Sequence, residues 1–179
     1  MPSPLVVVPF SPALGELVAG FSCGDEPHER ELADWIKQDA LAVMQRGTSV
    51  WLFLTEGRDL IGYGSLGQTN WHWPDPAGKK VPVQIIPAVA IQRACWGKPE
   101  GPREGRFSSL ILDHLIAEAT DRSDVSPLLG LFVHPANQRA VKVYERAGFA
   151  PYWHTYTDRA TGVIYRSMIY ELRRLGPGD

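Results

Sequence analysis

Residues 128–156 constrain the fold more than any other part of this chain. Leu128-Leu-Gly-Leu-Phe-Val133 is a short apolar run of strand type, 135–147 repeats apolar side chains at helical spacing, Gly148 closes that helix, and 150–156 returns to strand composition. A strand that leads straight into a helix and then into another strand needs a sheet with a helix packed on it. All-helical and all-β architectures are excluded.

The rest of the chain continues the alternation. Leu5-Val-Val-Val8, followed by Pro9, predicts a first strand ending near a turn. Ser11 and Pro12 stand as N-cap and first residue of a short helix reaching about Ala19. From Pro27 the spacing of Leu32, Trp35, Ile36, Ala40 and Val43 predicts a longer amphipathic helix that Gly47 ends. Strands over 49–55 and 60–66 are joined by the turn residues Glu56-Gly-Arg-Asp59, and 71–80, rich in Pro, Asp and Gly, reads as a loop. The β-rich run 81–93 is interrupted by Pro82 and Pro87. Proline has no N–H for a ladder, so Pro87 marks an edge, a bulge or a splayed position. After a Gly/Pro-rich loop at 95–105 comes a helix over 108–119 with a broad apolar face. The last strands, 150–156 and 163–172, flank the hairpin loop Asp158-Arg-Ala-Thr-Gly162. The expected order is β-α-α-β-β-β-α-β-α-β-β, one mixed-sheet domain over 1–179 with helices on both faces.

Composition narrows the function classes. Apolar residues make up 44% and charged residues 21%, as in globular proteins, and 179 residues suffice for one domain with a real core. A net charge of −2 argues against broad attraction to nucleic acid or an acidic membrane. No stretch approaches the ~20 apolar residues of a membrane helix, and 1–10 lacks the charged start and cleavage site of a signal peptide. Cys23 and Cys95 have neither metal-binding spacing nor a base partner, and are expected as thiols in the cytoplasm.

The segment 131–149 reads Leu-Phe-Val-His-Pro-Ala-Asn-Gln-Arg-Ala-Val-Lys-Val-Tyr-Glu-Arg-Ala-Gly-Phe. With Asn137, Ala140, Tyr144, Gly148 and Phe149 in place, it resembles the strand–helix segment of the GNAT acetyltransferases. Ala140 and Tyr144 are one turn apart and share a face. The resemblance covers most of the chain. It implies the GNAT fold: mixed α/β (α+β-like), with a mostly antiparallel sheet of about seven strands, splayed between its central strands and flanked by about four helices. It also implies acetyl-CoA as acyl donor, no metal, and direct transfer of acetyl to a primary amine through a tetrahedral intermediate. The family's pyrophosphate motif has its nearest match in Arg103-Glu104-Gly105-Arg106-Phe107-Ser108, where exposed N–H groups and the helix dipole would hold the phosphates. Arg106 stands there for a glycine and Ser108 for a second small residue.

In such a reaction the amine must lose a proton, the oxyanion must be stabilised and the leaving thiolate must be protonated. The resemblance assigns the last task to Tyr144, whose plain alternative is a core aromatic. It assigns the thioester and pantetheine arm to the backbone of Val89, Ala90 and Ile91. Asn137 would touch the cofactor arm or cap its helix. No general base is identified: Glu100, Glu104, His72, His114 and His134 all have structural readings, and water can serve. Trp71, Trp73, Trp96, Tyr152, Trp153 and Tyr156 supply aromatic surface for an apolar or cationic acceptor, or simply for sheet packing. The acceptor expected is a small molecule, a peptide or an aminoacyl group, and a homodimer is left open. A narrower likeness, through Phe21-x-Cys23-Gly24, Leu32-Ala-Asp-Trp35, Ala40, Gly62-Tyr63-x-Ser65-Leu66 and Val81-Pro82-Val83, points to GNAT-type toxins. It would imply aminoacyl-tRNA as acceptor and an antitoxin partner. The departure at Arg106 raises a third reading, a CoA-binding regulatory module without turnover.

Overall fold

The computed structural model describes residues 5–72, 78–96, 107–124 and 126–172. They contain eight strand segments: β1 Val6–Pro9, β2 Ser49–Leu54, β3 Leu60–His72, β4 Lys80–Ile86, β5 Val89–Ile91, β6 Leu128–Val133, β7 Ala150–Thr157 and β8 Ile164–Glu171. Four helices accompany them. A 3-10 turn, Pro12–Leu14, leads into α1 (Gly15–Ala19). Next, α2 joins Pro27–Asp34 and Ala40–Met44 through a π-helical turn at Trp35–Asp39. α3 is Phe107–Asp121 and α4 is Gln138–Arg146. The strand order is β1-β2-β3-β4-β6-β8-β7, with β5 also beside β3. The pair β4–β6 is parallel, while β1–β2, β3–β4, β3–β5, β6–β8 and β7–β8 are antiparallel. This is the mixed, mostly antiparallel sheet expected. It counts eight segments because the 81–93 run divides at Pro87. No helix among the described residues is long and apolar enough to cross a membrane.

Two compact units make up the chain, one from 1–65 and 88–113, the other from 66–87 and 114–179. In the first, the sheet face bearing Leu52, Leu54, Tyr63 and Ala90 packs on Ala33, Ile36 and Ala40 of α2. Fully buried Tyr63 fixes that packing. Its hydroxyl donates to Leu32 O at 2.7 Å, and its ring stacks on Trp35 with centroids 5.7 Å apart. A capping box between Glu26 and Glu29 starts α2. Ile111 of α3 meets the neighbouring strand position, Gly62, so it packs on the opposite face. Helices therefore cover both faces in this unit, as expected.

In the second unit β4 and β6 run side by side through Gln84↔Leu129, Ile85↔Gly130 and Ile86↔Leu131. Buried Gln84 directs its amide at the carbonyls of Ala119 (2.8 Å), Arg122 (3.2 Å) and Ser126 (3.3 Å), which end α3 and begin the turn to β6. The last carbonyls of a helix lack the amide of a following turn, and the Gln84 amide supplies a donor there, at Ala119 O beside the Arg122 N–H at 3.1 Å. Trp71 lies over Gly130 so closely that a Cβ there would stand 2.4 Å from the indole. Its ring stacks on Tyr152 and His154, at 5.6 and 5.3 Å.

Three expectations change. Trp71 and His72, taken with the loop 71–80, are strand residues: β3 runs to His72, opposite Lys80, because the ladder with β4 and the packing on Gly130 hold the end. The helix expected from Pro135 begins at Gln138, since Pro135 and Ala136 form a turn. Ser11 sits at the expected cap position but makes no side-chain capping bond.

Candidate active site

The site is built on the break at Pro87. The hydroxyl of buried Ser65 donates to Ala88 O at 2.7 Å and accepts the Ala88 N–H at 2.9 Å. It thus satisfies backbone groups of Ala88 where the strand changes course after Pro87. Pairing with β6 stops at Ile86, and the chain beyond continues as β5, paired with β3 through Gly62↔Ile91, Tyr63↔Ala90 and Gly64↔Val89. The Gln92 N–H donates to Ile61 O at 2.7 Å, which sets the phase of this antiparallel ladder. Alternate residues turn both backbone groups to the partner strand. Ala90 therefore faces β3, while Val89 and Ile91 direct their N–H and C=O to the opposite edge. There the Ile91 carbonyl accepts the Trp96 indole N–H at 3.1 Å.

Gly62 brings α3 to this strand. A Cβ on Gly62 would stand 2.4 Å from Ala90 O, 3.0 Å from Ile111 Cδ1 and 3.2 Å from Ile91 Cα, so only glycine admits the contact unstrained. Phe107, one turn before Ile111, is 4% exposed and anchors the start of α3, with half-buried Ser108 beside it in the first turn. First-turn amides lack intrahelical partners and carry the positive end of the helix dipole, a suitable setting for an anion. The fold therefore brings Val89, Ala90 and Ile91 beside the helix that begins with Phe107 and Ser108. Arg103, Glu104, Gly105 and Arg106, with Glu100, lie outside the described residues.

Asn137 and Tyr144 belong to α4 in the second unit. Asn137 Oδ1 accepts the Ala140 N–H at 3.1 Å, so the side chain caps the helix. Two turns on, the Tyr144 ring packs against Phe149 at 5.9 Å, and Phe149 against Tyr170 at 5.5 Å. Gly148, at φ 101°, makes the reversal between them. Part of the Tyr144 side chain reaches the surface, yet the phenol is dry enough that burial pushes its pKa up to about 12. It remains a proton donor throughout the neutral range.

The remaining polar groups have structural settings. His134 Nδ1 accepts the Ala136 N–H at 3.1 Å in the β6–α4 turn, and His72 Nδ1 lies 3.2 Å from Gly78 O. Burial lowers the pKa of His114 on α3. Burial raises the Cys23 thiol to about 11, with the Glu29 carboxylate adding to the shift, and Sγ donates to Glu29 O. Cys23 is thus held protonated, unlike a nucleophile. Among the described residues no three of His, Cys, Asp and Glu cluster as metal ligands would. Sequence reasoning placed Gly62 and Ser65 only in the likeness to GNAT-type toxins and Trp96 only among the aromatics, and missed the close approach at Gly62 and the bonds made by Ser65 and Trp96. The run Gly62-Tyr-Gly-Ser65, with small residues inside a strand, was the available signal for close backbone approach.

A scan against protein-family models and a search of curated proteins find no match. Solved structures match nearly the whole chain. A Tyr-to-Phe mutant of the toxin AtaT, bound to the C-terminus of the antitoxin AtaR and acetyl-CoA, has a TM-score of 0.63 at 16% identity, covering 94% of both chains. AtaT complexed with acetyl-methionyl-tRNAfMet gives 0.63 at 16% identity, over 94% of this chain and 95% of that one. A proposed acetyltransferase of the GNAT family from Desulfovibrio desulfuricans gives 0.60 at 17%, over 95% and 100%.

Proposed function

We propose that this chain, which has the GNAT fold, is an acetyl-CoA-dependent N-acetyltransferase moving acetyl directly to a primary amine. The observation that carries the reading is the β5 edge, where the register turns the Val89 and Ile91 amides away from β3 beside the first turns of α3. Hydrogen-bond donors fixed on a strand suit a thioester carbonyl, because they need no rearrangement as negative charge grows on its oxygen. The start of α3, with Phe107 and Ser108, takes the phosphates, together with the loop carrying Arg103, Glu104, Gly105 and Arg106. Ala90, turned toward β3, sets the spacing of the two outward amides. Asn137 fixes the start of the helix that carries Tyr144.

The amine nitrogen, deprotonated through water, attacks the thioester carbon, and the oxyanion accepts one of the strand's two outward N–H groups. As the carbon–sulfur bond breaks, the Tyr144 hydroxyl gives its proton to the sulfur. A phenol raised to about 12 stays protonated throughout the neutral range, so the proton is in place when the carbon–sulfur bond breaks.

Isothermal calorimetry with acetyl-CoA, followed by thiol release over a panel of amines, tests the assignment. Micromolar binding with turnover supports it, binding without turnover on any amine supports the regulatory module, and no binding removes both. The toxin-type neighbours, one of them complexed with acetyl-methionyl-tRNAfMet, favour a second reading in which the acceptor is an aminoacyl-tRNA and an antitoxin binds the enzyme. Transfer of labelled acetyl to charged but not to uncharged tRNA separates that reading from a small-molecule acceptor.

A further inference from the structure

The Gln92 side chain joins two parts of the first unit that are far apart in sequence. Gln92, at φ −50° and ψ 131°, keeps close to the extended course of β5, so the alternation along that strand continues through it. Its N–H turns to Ile61 O on β3, and the next N–H, that of Arg93, leaves on the outward edge with those of Val89 and Ile91. There it donates to Ser22 O at 2.8 Å. Gln92 Oε1 in turn accepts the Ser22 N–H at 3.1 Å. Ser22 is thus held at both backbone groups, the Gln92 amide standing in for the carbonyl of a strand partner. Its neighbours seat the rest of the α1–α2 connection. Phe21 is buried edge-on against Tyr63, with centroids 5.4 Å apart, and Cys23 is buried with its thiol on Glu29 O. Ser22 between them is exposed, directly past the open Ile91 amide on the same edge.

We propose that Gln92 is a positioning residue of the transfer: by holding Ser22 it fixes the α1–α2 connection as the wall beside which the amine reaches the acyl carbon. This rests on the proposed acetyltransferase function. With the thioester oxygen on an outward N–H of β5, the acyl carbon lies close to that edge, and the attacking nitrogen must come to about 3 Å from it. A wall displaced by about 1 Å is enough to spoil that approach. The Arg93 bond alone would leave the connection free to swing about Ser22 O. The second bond, from the Ser22 N–H to Gln92, removes that freedom.

The test is steady-state thiol release by the full chain, with acetyl-CoA as donor and phenethylamine, spermidine and aminoacyl-tRNA tried in turn as acceptors, beside calorimetric titration with acetyl-CoA. Gln92→Met keeps the length of the side chain and loses the acceptor oxygen. It is expected to lower kcat/KM for the amine that turns over roughly tenfold, to leave acetyl-CoA affinity unchanged and to speed hydrogen exchange at the Ser22 amide. Gln92→Glu keeps an oxygen for that amide and should restore both the kinetics and the protection. Native amine kinetics in Gln92→Met, an equal loss of acetyl-CoA affinity, or no recovery in Gln92→Glu overturns the proposal and leaves the acetyltransferase reading standing. Turnover of none of the acceptors by the unsubstituted protein overturns both.

Discussion

Burial pushes the Tyr144 phenol up to about 12 while its ring leans on Phe149. Phenylalanine at 144 keeps the ring and removes only the donor. Tyr144→Phe should lower kcat by a factor of about 10² or more and leave acetyl-CoA affinity unchanged, as steady-state kinetics and calorimetry together would show. A fall in affinity alone would return Tyr144 to the role of core aromatic. Gly62 makes a different kind of claim on its position. In Gly62→Ala the new methyl meets the backbone oxygen of Ala90 at 2.4 Å, and backbone cannot step aside as a side-chain tip can. A cost of about 1–3 kcal/mol is expected in chemical denaturation, with weaker acetyl-CoA binding as β5 and α3 part. The helical placement of Tyr144, with Asn137 at the cap and Gly148 past the end, was legible in the sequence because the spacing lies within one helix and its ends. Gly62 was not, because what it admits comes from 28 and 49 residues further along, at Ala90 and Ile111.

The element scale shows where local signals stop. Pro87 announced a break in the 81–93 run, but left an edge, a bulge and a splayed strand equally open. The outcome depends on Ser65, on another strand, whose hydroxyl satisfies both backbone groups of Ala88. Ser65→Ala strands a buried N–H and a buried C=O, and should destabilise the fold by about 1–3 kcal/mol. Acetyl-CoA affinity should fall with it, because β5 starts at the next residue. Thermal unfolding read beside calorimetry checks the pair, and a variant with native values in both would show that the break holds without the hydroxyl. The length of β3 was equally illegible: the composition of 71–80 favours a loop, yet partners on β4 extend the strand to His72. The π-helical turn in α2 left no periodic trace, because Ile36 and Ala40 keep ordinary i, i+4 spacing across it.

At the scale of the molecule, β3 and α3 each contribute residues to both compact units. The two units are accordingly expected to unfold in one transition, with calorimetric and van't Hoff enthalpies equal; two resolved transitions would refute a single domain. Stability should also fall at alkaline pH. Folding raises the Cys23 thiol from 9.0 to about 11 and the Tyr144 phenol from 10.0 to about 12. The folded state thus disfavours both anions. Their contribution is complete below the unfolded values and is lost as pH rises through 9.0 to 11 for the thiol and 10.0 to 12 for the phenol. Melting temperatures measured across this range should decline, and Cys23→Ala should flatten the lower part of the decline. An unchanged slope would mean that the thiol's environment does not differ between the two states.

The chain passes from one unit to the other at 65/66, at 87/88 and at 113/114, and the first and last of these passages fall inside β3 and α3. No contiguous stretch of gene encodes either unit, and an exchange of exons at those points would deliver half a strand or half a helix. Such a protein cannot be assembled in evolution from two interchangeable modules, nor shed one of them.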